Sequence, residues 1–176
     1  MGFVTGMVAG MPRHAHDPAP LLASLDIDPA DPARRVPLDR YAALYNRVIA
    51  ELGDEGFALF STPLPPGTFE FLCRSVISAP TLGEALQRST RFLGLVLHDL
   101  SVHLESGSAG QALLRIREER PLAVGRVFAF EWLLRLLHGL ASWLAGRSIV
   151  LERVQFPYPR PAHADDYALI YTAQSD

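Results

Sequence analysis

Between Leu82 and Leu97 apolar residues recur at intervals of three and four: Leu82, Ala85, Leu86, Phe92, Leu93, Val96 and Leu97. That spacing predicts one buried stripe on a helix. Thr81 stands where an N-cap belongs, and Glu84 follows three residues later, the arrangement of a capping box. After His98 and Asp99 the period falls to two, with Leu100, Val102 and Leu104 alternating against Ser101, His103 and Glu105. This is a half-buried strand. Residues 106–110 supply turn chemistry, and Ala112, Leu114 and Ile116 then alternate with Leu113, Arg115 and Arg117 as the returning strand.

The flanking segments read as supports for this helix and hairpin. Asp17 before Pro18 predicts an N-cap with proline at the first helical position, opening a short helix through Leu21, Leu22 and Leu25. The prolines of residues 26–37 forbid a regular helix, so this is a connector. Tyr41, Leu44, Tyr45, Val48 and Leu52 mark a helix from Leu38 to Leu52, ended by Gly53. Gly56 to Phe60 is a short apolar piece. A helix over Thr68 to Ser78 buries Phe69, Leu72, Cys73, Val76 and Ile77, and Pro80 sets it at an angle to the next one. The longest helix runs from about Leu122 to Ala145, apolar almost all round, and Gly146 closes it. Ser148 to Phe156 reads as a third strand, and Asp165 to Tyr171 as a final short helix. Residues 1–15 have no periodicity and are expected to be a poorly ordered leader or an irregular first element. The expectation is an α+β fold, an antiparallel sheet of three or more strands packed with five to six helices, forming a single domain over 16–176. A jelly roll of the cupin type needs about eight strands, so that barrel is not expected.

Composition narrows the function. A chain of 176 residues that is 49% hydrophobic suits one domain with a sizeable core. A net charge of −3 and a sequence pI near 6.1 give no general attraction to nucleic acid. All 16 basic residues are arginine, which reflects compositional bias more than chemistry. Cys73 is the single cysteine, so no internal disulfide forms and a reducing cytoplasm fits. The apolar helical setting of Cys73 marks a small buried hydrophobe. The first residues lack the features of a signal peptide or a myristoylation motif. Arg126, Glu131, Arg135 and His138 interrupt the long helix, which argues against a membrane span.

Candidate chemistry is sparse. No nucleophile elbow, P-loop, dinucleotide fingerprint or metalloprotease motif is present, so no enzyme and no cofactor are expected. His98 and His103 straddle a junction between helix and strand and do not form a metal pair. His103, Arg115 and Arg117 fall on the outer parity of adjacent strands, where they could line a polar pocket for an anionic effector or simply meet water. Phe128, Trp132 and Tyr158 could wall such a pocket or belong to the core. Leu133, Leu137, Leu140 and Leu144 step by four, three and four, the spacing of a coiled-coil seam through which a homodimer could form. The same spacing also suits one core helix within a single chain.

The order of these elements resembles the N-terminal, arabinose-binding-like domain of AraC-type transcriptional regulators. The resemblance rests on SAPTLGEAL at Ser78 to Leu86 after a short helix, the two strands that follow, the Leu-rich FAFEWLLRLLHGL, the phrase VQFPYPRP, and an aromatic at Tyr167. It spans roughly Asp17 to Tyr171. It implies a regulatory domain that senses an unidentified small-molecule effector, dimerises, or both, and that touches DNA only through a C-terminal helix-turn-helix module not found in these residues. An interaction module without a ligand is the alternative reading.

Overall fold

The computed structural model describes residues 1–31, 34–107 and 110–175. In chain order the elements are α1 (Gly2–Met7), α2 (Pro18–Ser24), α3 (Leu38–Leu52), α4 (Thr68–Val76), α5 (Leu82–Val96), β1 (Leu100–Ser106), β2 (Ala112–Glu118), α6 (Arg126–Leu144) and α7 (Tyr167–Ile170). Short 3-10 turns lie at Met11–His14 and Ala164–Asp166.

Local chemistry sets most helix ends. The Asp17 carboxylate accepts a hydrogen bond from the Ala19 N–H at 2.9 Å, with Pro18 as the first helical residue of α2. Gly53 ends α3 in the left-handed conformation at φ 61°, which costs glycine little. The Thr81 hydroxyl accepts from the Glu84 N–H at 3.2 Å. The carboxylate of Glu84 pairs with Arg88 one turn on. The long helix begins at Arg126, four residues later than its apolar pattern suggests. The Leu122 N–H is taken by the Glu118 carboxylate, and Gly125 adopts φ 62° against Leu59, so the preceding chain is held out of helical register.

The hairpin has the predicted parity. Leu100 pairs with Glu118, Val102 with Ile116, and His103 with Arg115. Leu100 and Val102 are buried, whereas His103, Arg115 and Arg117 face water. The turn expected over 106–110 lies partly outside the described residues, as do positions 32 and 33 of the 26–37 connector and the terminal position 176.

The sheet itself departs from expectation. Among the described residues it has two strands, not three or more, beside seven α-helices, of which α5 packs on β1. Ser148 to Phe156 is irregular chain with one isolated parallel bridge between Val154 and Ser175. The reason lies in where its backbone finds partners. The Ile149 N–H donates to the Ser142 hydroxyl, and the Ile149 carbonyl sits 2.7 Å from His138 Nε2. Both partners belong to α6, so the segment is fastened along a helix and not to a strand edge. The prolines at 157, 159 and 161 then prevent a ladder from extending further.

Residues 1–15, with two readings open, form an element. α1 packs on α6, and Val4, Met7 and Met11 are fully buried. The chain approaches closely here because Gly2, Gly6 and Gly10 lack side chains. A Cβ at Gly6 would stand 2.3 Å from Phe128 Cβ, and one at Gly10 would stand 2.1 Å from the Phe57 carbonyl oxygen.

Two buried aspartates hold the loops that close the core. Asp54 Oδ1 accepts from the N–H groups of Gly56 and Leu64, and Oδ2 accepts from that of Ala58. Asp99 Oδ2 accepts from both the N–H and the hydroxyl of Ser61, which ties the start of β1 to the loop before α4. The apolar piece Gly56 to Phe60 is therefore a tight turn wrapped on a carboxylate, with Phe57 and Ala58 at positive φ.

By length and composition α6 would pass for a membrane span, yet half of it is buried within the fold. Leu133, Leu137 and Leu140 are at most 3% exposed, and Leu144 packs against the same core. The leucine spacing is thus occupied inside the chain.

Candidate functional site

Residues 128–133 of α6 are all buried, and Glu131 sits among them with no exposed surface. A carboxylate in such a place needs donors, because an unpaired charge in a low dielectric is costly. The segment after α6 provides them. The chain from Phe156 to Tyr171 folds back over the helix and brings Tyr158, His163, Tyr167 and Tyr171 to it. His163 Nε2 lies 2.6 Å from Glu131 Oε1, and the Tyr167 hydroxyl donates to the same oxygen. The Tyr171 hydroxyl donates to the Glu131 backbone carbonyl at 2.9 Å, and the Tyr158 hydroxyl lies 3.3 Å from that of Tyr167. Glu131 Oε2 is buried and has no hydrogen-bond partner.

The surrounding faces are aromatic. Phe156 stacks on Tyr158 at 5.1 Å between ring centroids and meets Tyr167 at 4.8 Å and Tyr171 at 5.7 Å. Burial, first, and the nearby Glu131 charge push the hydroxyls of Tyr158, Tyr167 and Tyr171 far above the ordinary tyrosine range. All three therefore remain protonated donors. Val154, Ala164, Tyr167 and Tyr171 make a second small core beside the main one.

A groove of about 770 Å³ opens next to this cluster, between α1, the first turn of α6 and residues 161–163. That volume lies within the range of small-ligand pockets. Gly2, Gly6, Phe128 and Ala162 contribute apolar lining, and its ionisable side chains are Arg126 and His163. His163 is thus common to both places: it lines the groove and its Nε2 touches the buried carboxylate. Arg126 is held by Glu118 through hydrogen bonds of 2.8 and 3.1 Å from its Nε, and it also donates to the Pro157 carbonyl. A smaller hollow of about 200 Å³ near Asp26 contains Arg34, Arg35 and Arg40. Its guanidinium groups are already turned toward Asp26 and Asp166. Among the described residues no three His, Cys, Asp or Glu side chains converge as a metal set would.

Of the residues singled out by sequence, Tyr158 belongs to the Glu131 cluster and Phe128 lines the groove. Trp132 packs toward α3 and the loop before α4, where its Nε1 donates to the Tyr45 hydroxyl at 3.1 Å and its ring meets Phe57 and Phe60. His103, Arg115 and Arg117 stay on the solvent face of the hairpin, and Arg115 is bonded to Glu105. The structure does not bring these three to the aromatic residues. Sequence reasoning missed Glu131, His163 and Tyr171. A lone glutamate amid eleven apolar neighbours on one helix was the available signal, but it served only as an argument against a membrane span.

Compared with known families, residues 16–175 match the model of the arabinose-binding domain of AraC transcription regulators, the N-terminal domain. The chain belongs to this family. A relative, the ornithine utilization regulator of Pseudomonas aeruginosa, is 38% identical over 100 residues, or 55% of this chain. The match spans 28% of that regulator's own length. Regulators of the AraC family bind small-molecule effectors and reach DNA through a C-terminal domain. Family membership makes this chain a ligand-binding regulatory domain of a transcription regulator and not an enzyme.

Proposed function

We propose that this AraC-family domain senses a small-molecule effector in the groove between α1 and the start of α6, and that occupancy is passed to the DNA-binding part of the regulator. The carrying observation is that His163 lines the groove while contacting a fully buried carboxylate. A ligand entering there meets a polar network that runs from Glu131 through Tyr167 to Tyr158, and so reaches α7 and the second small core. A ligand that binds one arrangement of this network better than another shifts the population toward it. The regulator acts in the cytoplasm, where DNA and metabolites are both available.

The test is a thermal-shift screen of amino acids, small carboxylates, fatty acids and sugars, with sedimentation velocity on the same samples. The relative named for ornithine utilization is the reason amino acids come first. Stabilisation by one chemical class supports the reading, and a chain unmoved by every class overturns it.

A further inference from the structure

The unpartnered oxygen of Glu131 has a chemical implication. Oε1 already has two donors, His163 and Tyr167, whereas Oε2 is buried without any. For the ionised carboxylate the partner that Oε2 lacks is a donor, and a cation also offsets the buried charge. Aromatic rings of the kind that receive cations stand beside the carboxylate: Tyr167 bonds to Oε1, and Phe156, Tyr158 and Tyr171 belong to the same ring cluster, with paired centroids 4.8 to 5.7 Å apart. An ammonium group carries three donors on one atom, enough for both carboxylate oxygens.

On the reading that the groove holds the effector, we propose that Glu131 and its tyrosine shell form the subsite for the effector's cationic end, an aliphatic ammonium, and that His163 is the side chain it displaces. His163 lines the groove and touches the Glu131 carboxylate. Its Nε2 supplies one hydrogen bond to Oε1, which the incoming ammonium replaces while adding the bond that Oε2 lacks. The ring has somewhere to go, because it already borders the groove, and close neighbours set its present position. A Cβ at Gly2 would stand 1.9 Å from His163 Nδ1, and Phe3 meets the ring edge-on at 5.3 Å. The aliphatic part of the ligand then lies along the apolar groove toward Phe128. Arg126 borders the groove as well, but Glu118 holds it.

The experiment compares pentylamine, 1-pentanol and pentanoate, equal in chain length and differing only in the head group, by amide chemical-shift titration of the whole chain. The expected result is that pentylamine alone shifts residues 131, 163, 167 and 171. Glu131→Gln is expected to weaken it about tenfold, since a neutral amide loses the charge-assisted bond. His163→Ala is expected to tighten it, since no ring has to leave. Equal binding to Glu131→Gln, weaker binding to His163→Ala, or no shift with pentylamine each overturns the proposal. Should Glu131→Gln fail to fold, His163→Ala and the wild-type comparison still decide. If pentanoate, the alcohol or another class binds in the groove while the amine does not, the cation subsite falls and the effector reading stands. If no class binds, both fall.

Discussion

Gly6 of α1 lies against Phe128 of α6 so closely that any side chain at position 6 would occupy the space of the Phe128 Cβ. Gly6→Ala therefore forces α1 away from α6 and is expected to cost about 1–3 kcal/mol, the usual penalty for overpacking a tight contact. The same displacement widens one wall of the groove. Thermal unfolding of the variant checks the first effect, and ligand titration checks the second. An unchanged midpoint would mean that α1 does not dock as described.

That contact also shows why residues 1–15 resist reading from sequence. Gly2, Gly6, Gly10 and the intervening Val4, Met7 and Val8 carry no polar alternation, so no amphipathic face is visible. Their order comes from glycines fitting under His163, Phe128 and the Phe57 carbonyl, a tertiary fit with no local signature. Where local chemistry decides, as at Asp17, Gly53 and Thr81, the elements are legible. The hairpin was legible too, because its alternation reports one wet face. The third strand failed for the opposite reason: Ser148 to Phe156 has strand-like residues, but Ile149 bonds to the side chains of Ser142 and His138 on α6, and Val154 makes one isolated bridge to Ser175. Glu131 stayed hidden because its partners lie 32 to 40 positions later in the chain.

Asp54 gives a second prediction. Its carboxylate receives three backbone N–H groups, two of them at 2.7 Å, in a loop that is almost fully buried. Asp54→Ala leaves these donors without partners and is expected to destabilise the chain by about 3 kcal/mol or more. Asp54→Asn retains one acceptor oxygen and is expected to fall between. Denaturant unfolding of the pair gives the ranking, and an equal loss for both would show that a single acceptor oxygen recovers none of the stability.

The leucines of α6 permit a clear separation of core from interface. Leu137 is 1% exposed, whereas Trp143 on the same helix is 61% exposed. Leu137→Ala is expected to cost about 2–5 kcal/mol as a buried cavity, and Leu137→Glu to unfold the chain at any protein concentration. Trp143→Ala is expected to leave stability nearly unchanged. Circular dichroism with sedimentation velocity distinguishes the outcomes. A folded Leu137→Glu monomer derived from a wild-type dimer would place the leucine seam between chains after all.

The ion pair of Glu118 with Arg126 supplies a pH dependence with a definite sign. The hydrogen bond from Arg126, with the Leu122 N–H and the guanidinium charge, holds the Glu118 carboxyl below its ordinary value of 4.5. A folded-state value below the unfolded one means that the folded chain binds the proton less readily. The stabilisation is therefore complete above pH 4.5 and is lost as pH falls through the lower folded value. The pair is partly open to water, at 35% and 21% side-chain exposure, so about 1 kcal/mol is the reasonable scale and salt should reduce it. Glu118→Gln is expected to be less stable than the wild type by that amount at neutral pH, and equal to it in acid below the folded value. Because Arg126 also borders the groove, acid or the substitution frees a guanidinium there, and anionic ligands should gain affinity under the same conditions. Unfolding curves of both proteins from neutral pH downward measure the first effect. A difference that stays constant with pH would show that the carboxylate charge is not what Arg126 recognises.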